Sequence, residues 1–536
     1  MHPVPVTPDD LEQYEFPVLH AAADHWAAER PGDAAVLNAT RGYQFTWGDL
    51  RSGSLALAAG LARLGFRKGD VLAVSGPLSN EHILLEYACF RLGVIHAPLD
   101  VRLHLAEVVR SVNLIRAKGY VFTDKAPGVD FPAIAEEVRR RCDSVEHLIP
   151  LGEPRVEEPP PLPPIRPDDA AQIIFTTGST GSPKPALLSH RGITCQNLCL
   201  ARAFRFGPGQ RVLCNLPASH VGGQAELLLT TLHAGGAAVT LEAFDAAKSL
   251  DAIERYDVTL IGQIPAMFQM EWRTADYGRR NFSSLRAAVY GGQSAPRPFL
   301  ERMRRMAPAV ATGLGLTEAS GFCTYTALTA DLDAVAGGLG WAMPAYPMSI
   351  REPLNPDGSA GPELPAGAVG HVCFRGPQNF LGYLNDPQAT AAALSTDGWL
   401  DTGDMGRAGE HGLRLSGRAK WVLKPAGNQV FPGDIEAHFA ELPEVANIGV
   451  VGQPHRRWSE GIIAFVEKRP GAEIGEPALR RCARSLTSYM RPLHYVILDP
   501  GTMPLNRTAK VDVVRLQEMA AEEVRKLRER GRWDAD

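Results

Sequence analysis

Residues Ile173–His190 read IIFTTGSTGSPKPALLSH. A short apolar run enters Thr176, Thr177, Gly178, Ser179, Thr180 and Gly181, and Lys184 follows. Small residues and hydroxyls directly after a predicted strand suit an anion: successive backbone N–H groups form a nest, and the lysine adds a mobile point charge. The stretch does not fit a Walker P-loop, because Lys184 is followed by Pro185 and not by a hydroxyl, so a P-loop NTPase is not expected. The plainer alternative for this loop alone is a Gly/Ser/Thr surface turn. Pro185 fixes its own φ, removes an N–H and restricts Lys184 before it.

Outward from the loop, helical patterns such as LRSGSLALAAGLARLG alternate with apolar runs such as VLAVSG and GVIHAPL. After it come RVLCNLP, AAVTL, VTLIGQIP and LRAAVYGGQSAP, each ending in glycine, proline or a polar loop. This alternation predicts βαβ units and parallel sheets, with ligand sites at the ends of the strands. Residues 153–169 form a proline-rich connector, predicted extended and exposed. Beyond Pro344, GHVCFRG, GWLDTGDMG and GLRLSGRAKWVL read as short antiparallel strands. The tail predicts a small separate α+β unit: helix GDIEAHFAEL, strands ANIGVVG and GIIAFVEK, helix PALRRCARSLTSYM. The last stretch, EMAAEEVRKLRERGRWDAD, is expected to be a charged, solvated surface helix.

A chain of 536 residues exceeds one ordinary core, so several domains are expected. Its hydrophobic fraction of 45% and charged fraction of 21% are those of a globular protein. A net charge of −5 gives no basic field for nucleic acid or anionic membrane. The apolar stretch around Leu227–Leu241 is broken by His233 and two glycines, which argues against a membrane span. No secretory signal is visible at the N-terminus, and the eight scattered cysteines fit a reducing cytoplasm. Cys195 and Cys199, at helical spacing without histidine partners, read as buried thiols and not as zinc ligands.

FTTGSTGSPKP resembles the phosphate loop of the adenylate-forming superfamily, which includes acyl- and aryl-CoA synthetases. The resemblance continues in order along nearly the whole chain through YGGQSAP, GLGLTE, GYLNDPQAT, GWLDTGDMG, GRAK, GNQVFPGDIE and LNRTAK. It implies a large N-terminal α/β core (1–417) of parallel sheets plus a distorted β-barrel. A hinge (418–421) and a small mobile α+β C-terminal domain (422–536) follow. It also implies ATP, Mg²⁺ and coenzyme A as cofactors: a carboxylate attacks the α-phosphate to give an acyl-adenylate, and a thiol then takes the acyl group.

The same resemblance assigns residues. Thr176–Gly181 and Lys184 would hold the β- and γ-phosphates, Glu318 would coordinate Mg²⁺, and Thr317 would lie beside the α-phosphate. Asp404 would accept the ribose hydroxyls and Arg418 would contact the nucleotide. Gly291, Gly292, Gln293, Gly313, Leu314 and Gly315 would line the nucleotide site. Lys510 would bridge the substrate carboxylate and the α-phosphate, Lys420 would be the hinge, and the segment around Gly427 would later face the pantetheine thiol. His220 would stand beside the carboxylate and the thiol tunnel; a packed or capping histidine is the alternative. Val221, Gly222, Gln224 and Tyr290, with His220, Gly291 and Gly315, complete the expected substrate pocket.

PASHVGGQAE (Pro217–Glu226) lacks the aspartate that α-amino-acid members use, which disfavours amino-acid activation. Gly222, Gly223, Gly291, Gly292, Gly313 and Gly315 suggest room for a bulky aromatic or polycyclic acid, unless backbone geometry demands them. Five departures stand out: Pro185 after the loop lysine, Leu314 where an adenine-stacking aromatic is usual, His371, Trp421 and Ala509. Pro185 and Leu314 raise a second reading, a ligase with weakened adenylation supplied with adenylate by a partner ligase. A third passes the acyl group to a carrier-protein thiol, and a fourth is a nucleotide-binding scaffold without turnover. A homodimer stays open.

Overall fold

Two seven-stranded sheets, each mostly parallel, arise from the alternating apolar runs in this computed structural model. The structure describes residues 2–123, 129–152, 161–176, 183–293, 295–506 and 510–534. In the first sheet Ala309–Thr312, Ala287–Tyr290, Leu260–Gln263, Arg211–Cys214, Ala237–Thr240 and Ala34–Asn38 run parallel. Tyr43–Thr46 closes the edge antiparallel. In the second, His147–Pro150, Gly119–Phe122, Val71–Ser75, Ile95–Leu99 and Ala170–Thr176 are parallel. Lys184–Ser189 and then Gly382–Tyr383 continue that sheet antiparallel.

Val71–Ser75 and Ile95–Leu99 are buried at every residue without alternation because both faces are covered, as parallel sheets require. The largest core joins residues of both sheets, such as Ile174, Leu188, Val212 and Val289, through the helices between them. Helix Asn80–Leu92 is buried along nearly its full length. Its start is fixed by Ser79, whose side chain accepts from the His82 N–H, and its end by Gly93 at φ 74°. Among the described residues no helix is long and apolar enough to cross a membrane.

The antiparallel runs after Pro344 form an open four-stranded sheet, Met348–Arg351, Gly370–Arg375, Trp399–Gly409 and Gly412–Arg418. The isolated bridges Tyr325–Trp341 and Gly340–Gly412 extend this sheet, in the region expected as a distorted barrel. Ala419–Trp421 then makes a tight turn into the C-terminal unit. There Val445–His455, Ser459–Lys468 and His494–Leu498 form a sheet, with helix Pro432–Ala440 and helix Val513–Glu529 packed against its first strand.

Two local expectations change. PALRRCARSLTSYM is not one helix: Glu476–Cys482 gives way to tight turns at Ala483–Ser485 and Ser488–Met490. Ser485 Oγ donates to the Cys482 carbonyl, a hydroxyl competing for a helical acceptor. The charged C-terminal helix is also not merely solvated. Leu516, Ala520, Val524 and Leu527 form a buried stripe against Val451, Ile463 and Phe465. The approach is close: a Cβ at Gly449 would stand 2.3 Å from Leu516.

Candidate active site

Parallel strands deliver loops to one edge, and the loops after Ala287–Tyr290 and Ala309–Thr312 carry Gly291–Gly292 and Gly313–Gly315. Lys510 reaches this edge from the C-terminal unit. Its loop is pinned by the bridge between Leu505 and Val511. Asn506 reinforces that grip, its N–H donating to the Lys510 carbonyl at 2.8 Å and its side chain accepting from the Lys510 N–H at 3.1 Å. The Lys510 side chain passes over Gly292, where an added Cβ would stand 3.7 Å from its Cε. Gly292 has φ 89°, so the turn itself also favours glycine.

Cations gather around it. Arg418 Nε lies 2.7 Å from Oδ1 of the buried Asp404. Burial lowers the Lys510 ammonium below its ordinary value; Arg418 adds to this, while Asp404 and Glu226 oppose it. Burial also lowers Lys420, with Arg418 and Lys184 adding to the effect. Arg418 thus acts on both Lys510 and Lys420, and Lys184 acts on Lys420, a run of cations that favours a polyphosphate. Burial raises the Asp404 carboxyl, and Arg418 and Lys510 pull it back toward the ionised form that a ribose acceptor needs.

Lys184 opens the strand Lys184–Ser189, opposite Thr176, so its backbone is held in a sheet and not in a free loop. Its ammonium lies 4.9 Å from the centroid of the Tyr383 ring. Tyr383 Oη donates to Oε1 of Glu318 at 2.6 Å. Glu318 and Thr317 share the tight turn Thr317–Ala319. Among the described residues no group of three or more His, Cys, Asp or Glu side chains is arranged to hold a metal.

His220 keeps exposed surface in the cleft, and its Nδ1 accepts from the Gly222 N–H at 3.0 Å. Burial pushes the ring down to about 4, with Lys510 adding to the effect, so at neutral pH it is uncharged and Nε2 carries the proton. A π-helix, Gly222–Leu229, follows; such widened turns often mark functional sites. Gly223 is demanded by the backbone, since a Cβ would stand 2.3 Å from the Pro217 carbonyl, and Gly313 likewise against Thr324. Only part of the glycine content therefore makes room for a ligand.

The expected pocket residues divide. His220, Gly222 and Gly315 gather around Glu226, and Gly291 faces Phe322. Val221 is buried in the core, and Gln224 is fully buried with both amide atoms unpartnered. Tyr290 is not brought to the pocket: its ring packs on the other face of its strand, against Phe299. Strand alternation explains this, since Val289 joins the opposite core. Leu314 is half-buried and packs against that same core. Gln293 is exposed beside Gly292. Gly427, at φ 79°, lies in the turn Pro425–Gly427, where the Ala426 N–H donates to Trp458. Thr177, Gly178, Ser179, Thr180, Gly181 and Ala509 lie outside the described residues.

Sequence reading missed two side chains. Tyr383 lies in GYLNDPQAT and Glu226 ends PASHVGGQAE, and neither motif assigns them a role. A lone carboxylate after "GGQA" in an apolar stretch was the available signal.

Residues 23–384 match the family model described as AMP-binding enzyme, and residues 434–510 match the AMP-binding enzyme C-terminal domain. The chain is 29% identical over 520 residues to a 3-[(3aS,4S,7aS)-7a-methyl-1,5-dioxo-octahydro-1H-inden-4-yl]propanoyl:CoA ligase of Mycobacterium tuberculosis, covering 93% of this chain and 98% of the relative. It is 31% identical over 518 residues to an indoleacetate–CoA ligase of Aromatoleum aromaticum, covering 92% and 97%. Among solved structures, ATP-bound MatB from Rhodopseudomonas palustris superposes with a TM-score of 0.80 at 25% identity, covering 93% of this chain and 98% of that one.

Proposed function

This chain belongs to the AMP-binding enzyme family, and from that premise we propose that it is an AMP-forming acid–thiol ligase that makes an acyl-adenylate and then a CoA thioester. The observation that carries this reading is the placement of Lys510 over Gly292, close to Asp404 and Arg418. A cation delivered to that point can stabilise the negative charge that develops as a carboxylate oxygen meets the α-phosphate. Lys184, Arg418 and Lys420 supply the surrounding positive field, and Asp404 the acceptor for the ribose hydroxyls. Neutral His220 can donate through Nε2 to the substrate carboxylate.

Glu318 suits Mg²⁺: Tyr383 holds one oxygen, and the other makes no hydrogen bond among the described residues. One carboxylate with phosphate oxygens matches a hard ion that keeps much of its own water, and bound Mg²⁺ would neutralise phosphate charge. The second half-reaction calls for another face of the C-terminal unit, and the Ala419–Trp421 turn around Lys420 is the proposed pivot, dividing residues 1–417 from 422–536.

The acid we assign is a bulky aromatic or polycyclic carboxylic acid. Support comes from the two relatives named above, whose acids carry fused rings on short arms. The test is carboxylate-dependent ATP–pyrophosphate exchange over a panel of such acids, with CoA thioester formation followed in parallel. Lys510→Ala should lower exchange by about 10²-fold or more, while a supplied acyl-adenylate is still converted to thioester. Exchange that survives this substitution would sink the reading.

A further inference from the structure

We propose that Glu226 is a specificity-determining residue of the acyl pocket, and that it selects carboxylic acids bearing a hydrogen-bond donor (hydroxyl, ring N–H or amine) on the ring system. The inference rests on the ligase reading above and names the substrate class for that site.

Three glycines surround this one side chain, one on its own helix and two on a single antiparallel hairpin. A Cβ at Gly315 would stand 2.8 Å from Oε1 of Glu226, one at Gly222 would stand 3.3 Å from Oε2, and one at Gly321 would stand 2.9 Å from Cγ. The space the glycines leave is therefore occupied by a carboxyl group. Gly222 also abuts His220, whose Nδ1 would be 3.1 Å from the same added Cβ, so Glu226 stands on the wall that carries the candidate catalytic histidine.

Glu226 makes no hydrogen bond or ion pair among the described residues. Across from it lies Gln196, fully buried, its amide carbon 3.1 Å from the Cβ position of Gly321 and its Nε2 without a partner. Lys510 acts on Glu226 through its charge, and the charge of Glu226 in turn reaches the buried Cys323 and Tyr325. Burial pushes the Glu226 carboxyl up to about 8, with Lys510 opposing.

Glu226 is half-buried, and a carboxyl drawn partly out of water without a protein partner costs free energy. With its carboxyl raised to about 8, Glu226 keeps its proton at neutral pH, and its second oxygen remains an acceptor to be filled. A donor on the acid fills it. Sites built around such a contact discriminate strongly against analogues lacking the donor, because their own polar group is then left unpaired.

The test measures binding by calorimetry, which needs no turnover. Matched acids serve as probes: indole-3-acetic against 1-benzothiophene-3-acetic acid, 4-hydroxyphenylpropanoic against 4-fluorophenylpropanoic acid, and 4-aminophenylacetic against 4-methylphenylacetic acid. We expect the wild-type protein to favour the donor-bearing member of at least one pair by about tenfold or more. In Glu226→Leu that ratio should fall to near one, with the donorless acid binding as before. The wild-type comparison needs no variant, so poor folding of Glu226→Leu leaves the test intact. Ratios near one in every wild-type pair, no binding of any donor-bearing acid, or a Glu226→Leu loss equal for both members would each overturn the inference. Thioester formation from donorless acids would leave the ligase reading standing while this one fell.

Discussion

Tyr383 Oη donates to Oε1 of Glu318 across 2.6 Å. The same ring carries the Lys184 ammonium 4.9 Å from its centroid. One side chain from the strand Gly382–Tyr383 thus positions both the candidate metal carboxylate and a candidate phosphate cation. Tyr383→Phe keeps the ring and removes the hydroxyl. ATP–pyrophosphate exchange should drop about tenfold, the scale of a hydrogen bond to a charged group, and half-saturation should need more Mg²⁺. Conversion of supplied adenylate should stay unchanged; equal loss in both half-reactions would contradict the positioning role.

Pro185 is buried in the strand Lys184–Ser189, opposite Phe175, and its carbonyl accepts from the Leu384 N–H at 2.9 Å. It supports sheet pairing on both sides of the strand. Pro185→Gly should therefore lower thermal stability, on the order of 1 kcal/mol from added unfolded-state freedom. The KM for ATP should change by less than about threefold, since phosphate contacts of this size are worth roughly 1 kcal/mol or more each. A clear fall in KM would restore the idea that the proline weakens ATP binding.

His371 Nδ1 lies 2.8 Å from Oδ2 of Asp401, and this hydrogen bond raises the imidazole above its ordinary value. A raised histidine contributes stability in full below its unfolded value of 6.5 and loses it as pH climbs through the folded value. His371→Gln should melt about 2–4 °C below wild type near pH 5.5, with the gap closing by about pH 9. Scanning calorimetry across that range decides it; a constant gap would point to packing alone.

Glu271 is fully buried, with Oε1 accepting from Gln263 Nε2 at 2.7 Å and Oε2 unpartnered. Burial pushes its carboxyl up to about 7 from the ordinary 4.5. Between those values the folded chain binds a proton that the unfolded chain has released, so rising pH costs stability through this window. Glu271→Gln should equal or trail wild type at pH 5 and exceed it at pH 8, by at most about 3 kcal/mol. Parallel pH dependence of the two proteins would count against a buried carboxyl here.

Most strands were legible as strings. VLAVSG, RVLCNLP and VTLIGQIP are short apolar runs stopped by glycine, proline or polar residues, and hydrophobic content with turn chemistry is enough to end a strand. The helix break after Cys482 was less legible, because Ser485 competes for its carbonyl only once the chain has turned. The buried stripe on Val513–Glu529 was hidden by the charges between its apolar residues.

At the site the division is sharper. Sequence by itself determined which groups would be present, namely Lys184, Glu318, Asp404, Arg418 and Lys510, because their chemistry is carried by motif and order. Only the tertiary structure decided which of them meet. Tyr290 points to the opposite core because alternation along a strand commits each side chain to one face. Glu226 fits where it does because Gly222 on its own helix, and Gly315 and Gly321 on a hairpin far along the chain, each lack the Cβ that would crowd it. Such proximity between distant stretches is a property of packing, and no local pattern of residues encodes it.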